Sequence, residues 1–545
     1  MKTVLIGINS KYIHPNISIR YLKANCDFPV DIVEFTIKDD ISKIYQAILD
    51  LNPNILAFSV YIWNVEIIKL LLTKIRGNNK EITIILGGPE SSYESDIFFL
   101  QYKVNFIIIN EGEIAFNELL KVIFKNNSLE NIPNLRYIEN GVIKQNSISD
   151  ISNLNNLIDP YNIELDNHQH KIAYLELSRG CPFHCTYCLA SLDKGVRFFS
   201  TERVKNNIDK LYKKGARTFK FLDRTFNIRE DLAKEILNYI IENRFKDAIF
   251  QFEINADILS DEFIDYINEI VPPNKIRFEI GIQSTNDLVN KAVSRKQNTS
   301  KLLHNIRKLK KGNIVMHLDL IAGLPYEDFN SFKNTFNEAF RLYGDELQLG
   351  FLKLLKGTKL FYQKKQFNYS IDSKAPYEII DNKFITKDEL EVIHIVEEAL
   401  NIYWNKGFLN HSIKLITEDD ASPFDFFYNL GKLFLEKNKL FHRYQLTDVF
   451  QILEIFVGYN KHIYDIRYDY LKHHKIKPKI YWDNLVPKNK IIRKFHESNL
   501  NYNIDSLYKY SIVISNYSGY ILAIYYPNKT EFHKIKAWIK SSFLI

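Results

Sequence analysis

The sequence predicts an α/β protein made of a doubly wound parallel sheet, a central partial (β/α)6 barrel and a mostly α-helical C-terminal domain, in that order. Two observations predict the first two parts: short apolar strands alternate with helical stretches over residues 1–125, and again over residues 166–370. Such alternation is typical of parallel sheets covered by helices. A third observation predicts the last part, since helical patterns dominate from residue 371 onward.

Residues 1–125 contain five predicted strands and four predicted helices, in a flavodoxin-like or Rossmann-like order. The strands are Thr3–Ile8, Val30–Thr36, Asn54–Val60, Ile82–Leu86 and Val104–Ile109. The helices are Asn16–Asn25, Ile41–Leu51, Val65–Ile75 and one that follows Glu111-Gly-Glu113 and ends near Phe124. Ligands of such sheets bind at the carboxyl ends of the strands. Gly87 and Gly88 follow the fourth strand, where a missing side chain lets a ligand approach the backbone.

A hairpin and a linker are predicted over residues 126–165, between the two α/β parts. The hairpin spans Asn134–Gln145, and its turn contains Asn140-Gly141, a strong hairpin signal. Ser, Asn and Asp are frequent from Asn146 to Asp166, which is typical of a linker.

Residues 166–370 contain six predicted βα-type repeats, which we expect to form a partial TIM barrel. The first strand begins at Lys171, and the others are Thr218–Leu222, Ile249–Ile254, Ile276–Ile282, Val315–Ile321 and Glu346–Leu352. The helices are Glu202–Lys213, Asp231–Arg244, Leu259–Val271, Ser300–Gly312 and Phe329–Tyr343. Parallel barrels place their sites on the loops after the strands. Polar side chains at these strand ends are therefore candidate site residues.

Composition argues against several classes of protein. The chain has 545 residues and only four cysteines, so we expect a reducing compartment and no disulfide scaffold. The net charge of +7 comes from 72 Lys and Arg against 65 Asp and Glu, without a long basic block, so nucleic-acid binding is not indicated. The N-terminus lacks signal-peptide architecture, and no apolar run approaches the roughly 20 residues of a membrane span. We therefore expect a cytoplasmic protein.

Three of the four cysteines lie in one stretch, Leu177-Ser-Arg-Gly-Cys181-Pro-Phe-His-Cys185-Thr-Tyr-Cys188. Thiolates hold iron–sulfur clusters, and a cubic cluster normally takes four of them, so the C-x3-C-x2-C triad leaves one iron open. An open coordination site on a metal centre is a catalytic feature. A zinc site would need a fourth ligand at finger-like spacing, which His184 does not provide. Purely structural thiols would not cluster this way in so cysteine-poor a chain.

This stretch resembles the signature of the radical S-adenosylmethionine (SAM) superfamily. The resemblance implies a [4Fe-4S] cluster held by Cys181, Cys185 and Cys188, whose open iron chelates the amino and carboxylate groups of SAM. One electron from the cluster, supplied by a reductant such as flavodoxin or ferredoxin, then cleaves SAM to a 5′-deoxyadenosyl radical. Tyr187 holds the family's aromatic position before the third cysteine, next to the adenine.

The same resemblance implies SAM-binding roles for residues at two strand ends. Asp223 and Thr225 occupy the place of the residues that bind the SAM amino group. Glu279 and Gln283, on the fourth core strand, match polar groups near the ribose and the methionine carboxylate. Each lone carboxylate has a plainer alternative as a solvated loop charge or a helix N-cap. Their joint placement at strand ends favours a site.

Four further residues complete the core site that the resemblance implies. Glu253, on the third strand, and Arg295, after the fourth, are expected neighbours of SAM. Gly323 lies in an altered G-x-I-x-G motif that is expected to back the adenine. Arg197 matches an arginine that family members often carry near the cluster, with a solvated surface arginine as the alternative.

The N-terminal domain resembles the cobalamin-binding domain that precedes some radical-SAM cores. The matching cofactor-binding residues follow the third, fourth and fifth strands and are Ser59, Gly87, Gly88, Glu111 and Gly112. The family's cobalt-ligand motif D-x-H-x-x-G is not kept, because Tyr12 and Ile17 replace its Asp and Gly around His14. A loop histidine beside proline is more often a solvated or capping residue than a ligand. The alternative is a flavodoxin-like domain that binds no corrin and only packs against the core.

Residues 371–545 are expected to form a mainly helical domain with a short sheet. The predicted elements are helices Lys387–Lys406, Asp425–Asn438 and Leu446–Val457 and strands Ser511–Ser515 and Tyr520–Tyr526. The dense aromatic residues, such as Phe424, Phe427 and Phe434, occur at helical spacing, which favours a core over a platform for stacking bases. The segment resembles an uncharacterised extension of some cobalamin-type radical-SAM proteins, and we expect it to cap the barrel and shape the substrate cavity.

These observations leave three hypotheses for function. The first is a radical SAM enzyme that also uses cobalamin. Its simplest reaction is methyl transfer to an unactivated carbon of a small-molecule or peptide substrate. The second keeps the radical core without functional cobalamin and gives oxidation or rearrangement. The third is a non-catalytic iron–sulfur or flavodoxin-like binding protein. The fourth cysteine, Cys26, is expected to be a buried apolar thiol.

Overall fold

The computed structural model describes residues 1–78, 81–93, 95–125, 128–163, 168–193, 195–418, 422–458 and 462–536. The chain forms two compact units. The first comprises Met1–Phe329 with Gly350–Thr386, and the second comprises Asn330–Leu349 with Lys387–Ile545.

The N-terminal part of the first unit is a seven-stranded sheet with its helices. The strands are β1 (Thr3–Asn9), β2 (Val30–Thr36), β3 (Ile55–Ser59), β4 (Thr83–Gly87), β5 (Phe106–Ile108), β6 (Leu135–Glu139) and β7 (Val142–Gln145). The helices are α1 (Ile17–Ala24), α2 (Ile41–Asp50), α3 (Val65–Asn78), α4 (Pro89–Ser92), α5 (Asp96–Leu100) and α6 (Glu113–Lys125). The strand order is β2-β1-β3-β4-β5-β6-β7. Strands β1 to β5 pair in parallel, whereas the hairpin β6–β7 adds antiparallel strands at one edge.

Apolar clusters cover both faces of this sheet, as a doubly wound fold requires. Val4, Ile6 and Ile8 of β1 belong to one cluster, whereas Leu5 belongs to the other. The alternation follows from the two-residue period of a strand. Cys26 packs against the second cluster but is only partly buried, so the predicted burial of this thiol is incomplete.

The core contains eight strands and six helices among the described residues between Ile172 and Phe351. The strands are β8 (Ile172–Leu175), β9 (Ser178–Arg179), β10 (Arg197–Phe198), β11 (Thr218–Phe221), β12 (Ile249–Ile254), β13 (Ile276–Gln283), β14 (Val315–Ala322) and β15 (Glu346–Phe351). The helices are α7 (Thr201–Lys213), α8 (Glu230–Glu242), α9 (Asp261–Ile270), α10 (Asp287–Ala292), α11 (Thr299–Leu309) and α12 (Phe329–Phe340). Six strands form one sheet in the order β15-β14-β13-β12-β11-β8, and neighbours from β8 to β14 pair in parallel. The predicted partial (β/α)6 barrel is confirmed.

The two faces of this sheet differ in chemistry. Along β13, the side chains of Phe278 and Ile280 are buried, while Arg277 and Glu279 alternate with them on the other face and are half-buried. Strand β14 continues the same pattern, with His317 on the polar face. The concave side of the partial barrel is therefore lined with polar groups. The first unit ends with α13 (Lys359–Tyr362), β16 (Ser370–Ile371) and β17 (Ile379–Asp381).

The second unit is mainly helical, as predicted, and carries one small sheet. Besides α12 and most of β15, which are described above with the core sheet, it contains the helices α14 (Lys387–Leu400), α15 (Asn410–Glu418), α16 (Pro423–Glu436), α17 (Leu446–Val457), α18 (Ile463–His473), α19 (Lys488–Glu497) and α20 (Ile504–Tyr510). The sheet is antiparallel and consists of β18 (Ser511–Asn516), β19 (Gly519–Tyr526) and β20 (Lys529–Lys536). Four of these helices and β20 had no counterpart in the sequence prediction. Phe424, Phe427 and Phe434 are fully buried, so the expected aromatic core is confirmed.

Across the described ranges, none of the helices combines the length and the apolar character needed to span a bilayer.

Candidate functional site

A cavity of about 670 Å³ lies where the carboxyl ends of the N-terminal strands face the beginning of the core. Ser59, Gly87 and Glu111, which follow or end β3, β4 and β5, line one side of it. Arg179 and Arg224, which follow β8 and β11, line the other side. Both α/β parts therefore contribute to one site, as the edge rule for parallel sheets predicts.

The cysteine segment leaves β9 and is tied to the core by its backbone. The N–H of Thr186 donates to the carbonyl of Val293 at 2.9 Å, and the carbonyl of Thr186 accepts from the N–H of Leu360 at 2.9 Å. The N–H of Cys188 donates to the carbonyl of Cys185 at 3.1 Å, which closes a tight turn between the second and third thiols. The segment is thus held from both sides.

The three thiols of Cys181, Cys185 and Cys188 are close enough to influence one another. Burial raises the pKa of Cys181 and of Cys188, and the neighbouring thiols raise both further. The Thr225 hydroxyl at Cys181 and the Arg224 guanidinium near Cys188 act in the opposite direction. Burial therefore disfavours the thiolate forms of Cys181 and Cys188 unless a cation is bound, which is the chemistry of metal-ligating thiols.

In the described part of the chain, no three His, Cys, Asp or Glu side chains converge as the ligands of one metal ion would. In an iron–sulfur cluster each thiolate binds a different iron, so its thiols do not need to converge. The spacing of Cys181, Cys185 and Cys188 matches the ligand set of such a cluster.

Tyr187 and Arg295, both predicted to face SAM, are brought together. The Arg295 guanidinium donates to the Gly281 carbonyl at 2.5 Å, to Gln297 Oε1 at 2.7 Å and to the Tyr187 hydroxyl at 3.5 Å. Burial raises the pKa of Tyr187 well above its usual value, so the phenol stays neutral. The Arg295 guanidinium also lies close to Cys185. It thus links the cysteine segment to β13.

Asp223 and Thr225 contact the cysteine segment itself. The buried Asp223 carboxylate accepts from the Ser178 hydroxyl at 2.6 Å and from the N–H of Leu177 at 3.0 Å. Burial raises the pKa of Asp223 to about 7, against the opposing effect of these two hydrogen bonds. Thr225 donates to the Arg224 carbonyl at 2.7 Å and lies against Cys181. Both residues therefore set the position of the backbone that carries the first cysteine.

The polar face of the core sheet holds Glu253, Glu279 and Gln283. Glu279 accepts from Lys220 at 2.9 Å and from Gln251 at 2.6 Å, and these contacts lower its pKa even though burial acts to raise it. The charge of Glu253 has weaker support from neighbouring cations. Burial raises its pKa, and Arg224 approaches only to 3.7 Å.

Gln283, at the end of β13, has a strained backbone with φ +64°. Within the described residues, its buried Oε1 has no hydrogen-bond partner. A buried acceptor without a partner is costly and marks a position where a hydrogen-bond donor of a ligand would be stabilised.

The space beside Gly323 is filled by protein side chains. A Cβ there would lie 1.9 Å from the Ile379 side chain, and Tyr369 and Asn382 each donate to its carbonyl at 2.9 Å.

The glycines and Ser59 of the N-terminal domain play different parts. A Cβ on Gly87 would meet only the Ile108 carbonyl, at 3.7 Å, so this residue opens onto the cavity. Gly88 has φ +102°, and a Cβ there would lie 2.5 Å from the Val60 carbonyl oxygen, so it permits a close backbone crossing. Gly112 lines the cavity beneath α1, and Ser59 Oγ accepts from the side chain of Asn16 at 2.7 Å.

Glu111, predicted to bind cofactor, lies in the cavity wall but already has partners. Arg197 donates to its two carboxylate oxygens at 2.8 and 3.1 Å, and the N–H of Ile151 donates at 2.7 Å. Burial on its own would raise the pKa of Glu111, but these bonds and the nearby Arg179 lower it. Arg197 is therefore a paired residue rather than a solvated surface arginine.

Arg179 was not singled out from the sequence, and it is the centre of the charged network around the cavity. Its guanidinium binds Glu113 at 2.6 Å, Glu176 at 3.0 Å and Glu111 at 3.3 Å. It also lies 4.8 Å from the centre of the Tyr21 ring. Its position two residues before Cys181 was a local signal, but its partners Glu111 and Glu113 are more than sixty residues away in the chain.

His14, in the loop after β1, is turned toward the core. Its Nδ1 is 2.6 Å from the Tyr174 hydroxyl on β8, and the N–H of Ile172 donates to the carbonyl of Ile13 at 2.8 Å. Burial, with the charges of Lys11 and Lys220, lowers the pKa of His14, so the imidazole is neutral at pH 7. The loop that carries a cobalt ligand in the resembled family is here joined to the edge strand of the barrel.

Comparison with known families matches three successive regions of the chain. The sequence model of the B12 binding domain matches residues 3–120, that of the radical SAM superfamily matches residues 175–339, and that of a protein of unknown function (DUF4080) matches residues 365–539.

Two curated relatives align over most of the first unit. "Uncharacterized methyltransferase PH0819" from Pyrococcus horikoshii is 22% identical over 348 residues, which cover 62% of this chain and 73% of that protein. "Cobalamin-dependent radical SAM methyltransferase TokK" from Streptomyces tokunonensis is 24% identical over 376 residues, which cover 64% of this chain and 54% of that protein.

Two solved proteins share the fold. The cobalamin-dependent S-adenosylmethionine radical enzyme OxsB, with aqua-cobalamin and S-adenosylmethionine bound, superposes with a TM-score of 0.60 at 15% identity, covering 87% of this chain and 81% of that one. The radical S-adenosylmethionine methyltransferase TsrM from Kitasatospora setae, with cobalamin and a [4Fe-4S] cluster bound, gives a TM-score of 0.55 at 15% identity, covering 67% and 78%. Since the matched family regions follow one another in the same order as the domains described above, the chain belongs to the radical SAM superfamily, with a B12-binding domain before the radical SAM core and a DUF4080 region after it.

Proposed function

We propose that this radical SAM enzyme is cobalamin-dependent and methylates an unactivated carbon of a small-molecule or peptide substrate. The observation that carries the proposal is the cavity of about 670 Å³, whose walls come from both the B12-binding domain and the radical SAM core. A reaction that needs SAM and a corrin side by side requires such a shared site. The similarity to TokK and TsrM, both described as methyltransferases, supports this reaction class.

The cysteine segment fits a [4Fe-4S] cluster. Three mutually close thiols supply the ligands, and Arg224 and Arg295 place positive charge beside Cys188 and Cys185, where thiolates would form. The backbone bonds of Thr186 keep the segment fixed while ligands bind.

The polar face of the core fits SAM, a ligand with an amino group, a carboxylate and two ribose hydroxyls. Gln283 offers an unpaired buried acceptor to a donor such as a hydroxyl or the amino group. Burial raises the pKa of Glu253, and its nearest cation, Arg224, is 3.7 Å away, so a bound ammonium would stabilise its ionised form. Tyr187 offers a neutral ring held in place by Arg295.

The N-terminal domain fits a large, mostly apolar ligand such as cobalamin. The cavity extends from Gly87 down to Leu5, Ala57 and Phe116, which belong to the apolar cluster on one face of the sheet. Small residues at Ala57 and Gly87 keep this slot open. His14 lines the same cavity as a neutral imidazole whose Nδ1 bonds Tyr174, so only Nε2 would be left for a metal.

When bound, these groups would supply one-electron cleavage of SAM and a transferable methyl group. The chain's own residues hold and shield the site. The network of Arg179, Arg197 and Glu111 fixes the cysteine segment against the B12-binding domain, so the two halves of the cavity keep one relative position. A reductant of the flavodoxin or ferredoxin type is the expected electron donor.

The first test compares Cys185→Ser with Cys26→Ser, which removes the cysteine outside the triad. After anaerobic purification and reduction, Cys185→Ser is expected to lose iron and to form no 5′-deoxyadenosine from SAM. Cys26→Ser is expected to match the unmodified chain in both measurements. Continued 5′-deoxyadenosine formation by Cys185→Ser would show that the triad does not carry the cluster.

The second test separates methyl transfer from other radical chemistry. Protein made with cobalamin supplied should hold about one corrin per chain, and SAM with a labelled methyl group should pass the label to product. Corrin-free protein that still cleaves SAM would favour the second candidate, oxidation or rearrangement with a cobalamin-like domain that serves only as a substrate or partner module. The specific observation behind that candidate is the lost D-x-H-x-x-G motif around His14. An absence of SAM cleavage would leave a non-catalytic iron–sulfur protein.

A further inference from the structure

The positive charge of the chain is concentrated in the last part of the DUF4080 region. From the last turn of α18 to the end of β20, residues 472–536 contain twelve Lys and Arg against four Asp and Glu. This segment has a net charge of +8, so the other residues together carry −1. Such an asymmetry indicates an anionic partner for this segment rather than for the chain as a whole.

Contacts place the amines of Lys477 and Lys488 at the end of α20 that carries Lys509, and Lys475 lies two residues before Lys477 in the chain. These four lysines are called the lysine surface. The Lys477 amine donates to the carbonyl of Lys509 at 2.7 Å. The Lys488 amine donates to the carbonyls of Tyr508 and Ser511 at 3.1 and 2.9 Å, so both amines cap the C-terminal end of α20.

Within the lysine surface, the positive charges are close enough to act on one another. Burial lowers the pKa of Lys488, and the charge of Lys477 lowers it further. Lys475, Lys477 and Lys509 are exposed to solvent. In the part of the chain that the structure describes, no ion pair with a carboxylate involves any of these three. The surface therefore presents charge to a partner rather than neutralising it internally.

Two large aliphatic side chains stand exposed beside the lysine surface. Ile476, between Lys475 and Lys477, is 75% exposed, and Leu485 is 96% exposed, the highest value for a large apolar side chain in the described ranges. Leu485 follows Asn484, whose side-chain amide donates to the carbonyl of Val513 at 2.7 Å. Val513 is two residues after Ser511, whose carbonyl accepts from Lys488. Single exposed aliphatic residues are common. A pair of them among lysines is the arrangement of a surface that meets both phosphates and an apolar layer.

We propose that the lysine surface, with Ile476 and Leu485, binds the anionic phospholipid surface of a membrane. The lysines would contact head-group phosphates, and the two aliphatic side chains would enter the boundary between head groups and acyl chains. A nucleic acid also offers phosphates, but its bases stack on aromatic side chains of the protein. It provides no apolar layer that an isoleucine and a leucine could enter. Each lysine near such a membrane strengthens binding about fivefold, and each inserted aliphatic side chain about tenfold.

The test is co-sedimentation of the full chain with phosphatidylcholine vesicles that contain or lack phosphatidylglycerol. Binding is expected only with phosphatidylglycerol. The double variant Lys475→Gln/Lys509→Gln should bind about 25-fold more weakly at low salt and approach the unmodified chain at high salt, where charges are screened. Lys477 and Lys488 stay unchanged because their amines cap α20. The matched control, Lys38→Gln/Lys311→Gln, removes two exposed lysines of the first unit and should bind as tightly as the unmodified chain.

The apolar part of the proposal has its own measurements. Ile476→Ser/Leu485→Ser should weaken binding at low and high salt alike. Leu485→Trp should bind at least as tightly as the unmodified chain, and its added fluorescence should shift to shorter wavelength when vesicles are added. Equal binding to both kinds of vesicle, an unshifted tryptophan, or displacement from vesicles by single-stranded RNA with no effect of the serine variant would each overturn the proposal.

Discussion

The bond between Glu111 and Arg197 provides a stringent test of the reasoning about the site. Glu111→Gln keeps the size of the side chain but replaces one carboxylate oxygen by an amide nitrogen and removes the charge. Arg197 makes two bonds to that carboxylate, at 2.8 and 3.1 Å, and the side chains of Glu111 and Arg197 are only 15% and 19% exposed. The variant therefore leaves a mostly buried guanidinium without its counter-charge.

The expected size of the effect follows from two bounds. Breaking one partner of a buried ion pair costs about 3–5 kcal/mol, and a hydrogen bond to a charged group contributes about 1.5–3 kcal/mol. The glutamine still offers one oxygen to Arg197 or Ile151, and the pair retains some solvent contact. We therefore expect Glu111→Gln to lower the free energy of unfolding by about 2 kcal/mol.

A double-mutant cycle measures the pair itself. Urea unfolding of the unmodified chain, Glu111→Gln, Arg197→Gln and the double variant should give a coupling free energy of about 1.5–2 kcal/mol. The control cycle uses Lys205 and Glu235, whose contact is equally short at 2.7 Å but whose side chains are 21% and 43% exposed. Its coupling should stay below about 1 kcal/mol. A Glu111–Arg197 coupling no larger than that of the control would refute the reasoning.

The same pair should show a defined pH dependence. The pKa of Glu111 is lowered in the folded chain, because the Arg197 and Ile151 bonds outweigh burial. The stability that the carboxylate adds is therefore present at neutral pH and lost as pH falls through this lowered pKa. The difference between the unmodified chain and Glu111→Gln should shrink below about pH 4. A difference that is constant from neutral to acidic pH would mean that the charge of Glu111 is not responsible for it.

Three further substitutions test other parts of the site. Burial raises the pKa of Asp223 to about 7 in the folded chain, whereas an unfolded aspartate has a pKa of about 4. Stability should therefore fall as pH rises between these values. Asp223→Asn should abolish this pH dependence of the urea midpoint. Gly88→Ala places a Cβ against a carbonyl oxygen at φ +102° and should cost at least about 2 kcal/mol in urea unfolding, whereas Gly87→Ala should change stability little but reduce the corrin retained after gel filtration. Arg295→Gln removes donors from the Tyr187 hydroxyl and a backbone carbonyl and should lower the unfolding free energy by about 2 kcal/mol; an unchanged urea midpoint would contradict the linking role assigned to it.

The parallel strands were predictable because their hydrophobic pattern is local. Strand β13 was predicted as Ile276–Ile282 and is observed as Ile276–Gln283, and β2 was predicted with its observed bounds, Val30–Thr36. A strand buried on both faces or alternating strictly between faces leaves its signal in consecutive residues. The cysteine segment was equally visible, since its three thiols lie within eight residues.

The side-chain partners were not predictable, because they join residues far apart in the chain. Glu111 is predicted as a cofactor residue from the resemblance to a cobalamin-binding domain, and the structure adds that its carboxylate binds Arg197, 86 residues later. Gly323 is predicted to back an adenine, and the structure adds that Ile379 of β17 fills the space where a Cβ would lie. A pattern of residue types shows that a position lies at a strand end, but only the folded chain shows which neighbour occupies the space there.

Arg179 shows why this matters for the organisation of the enzyme. It lies two residues before Cys181, yet two of its three carboxylate partners, Glu111 and Glu113, belong to the B12-binding domain. Glu113 is also the first residue of α6, an end of the helix where the dipole favours a negatively charged side chain. Without that domain, Glu176 would be the one carboxylate of these three left to balance the charge of the Arg179 guanidinium, which is only 14% exposed. The backbone that presents the first thiol is therefore held partly by the domain proposed to bind cobalamin, and the two cofactor sites depend on one another before any cofactor is bound.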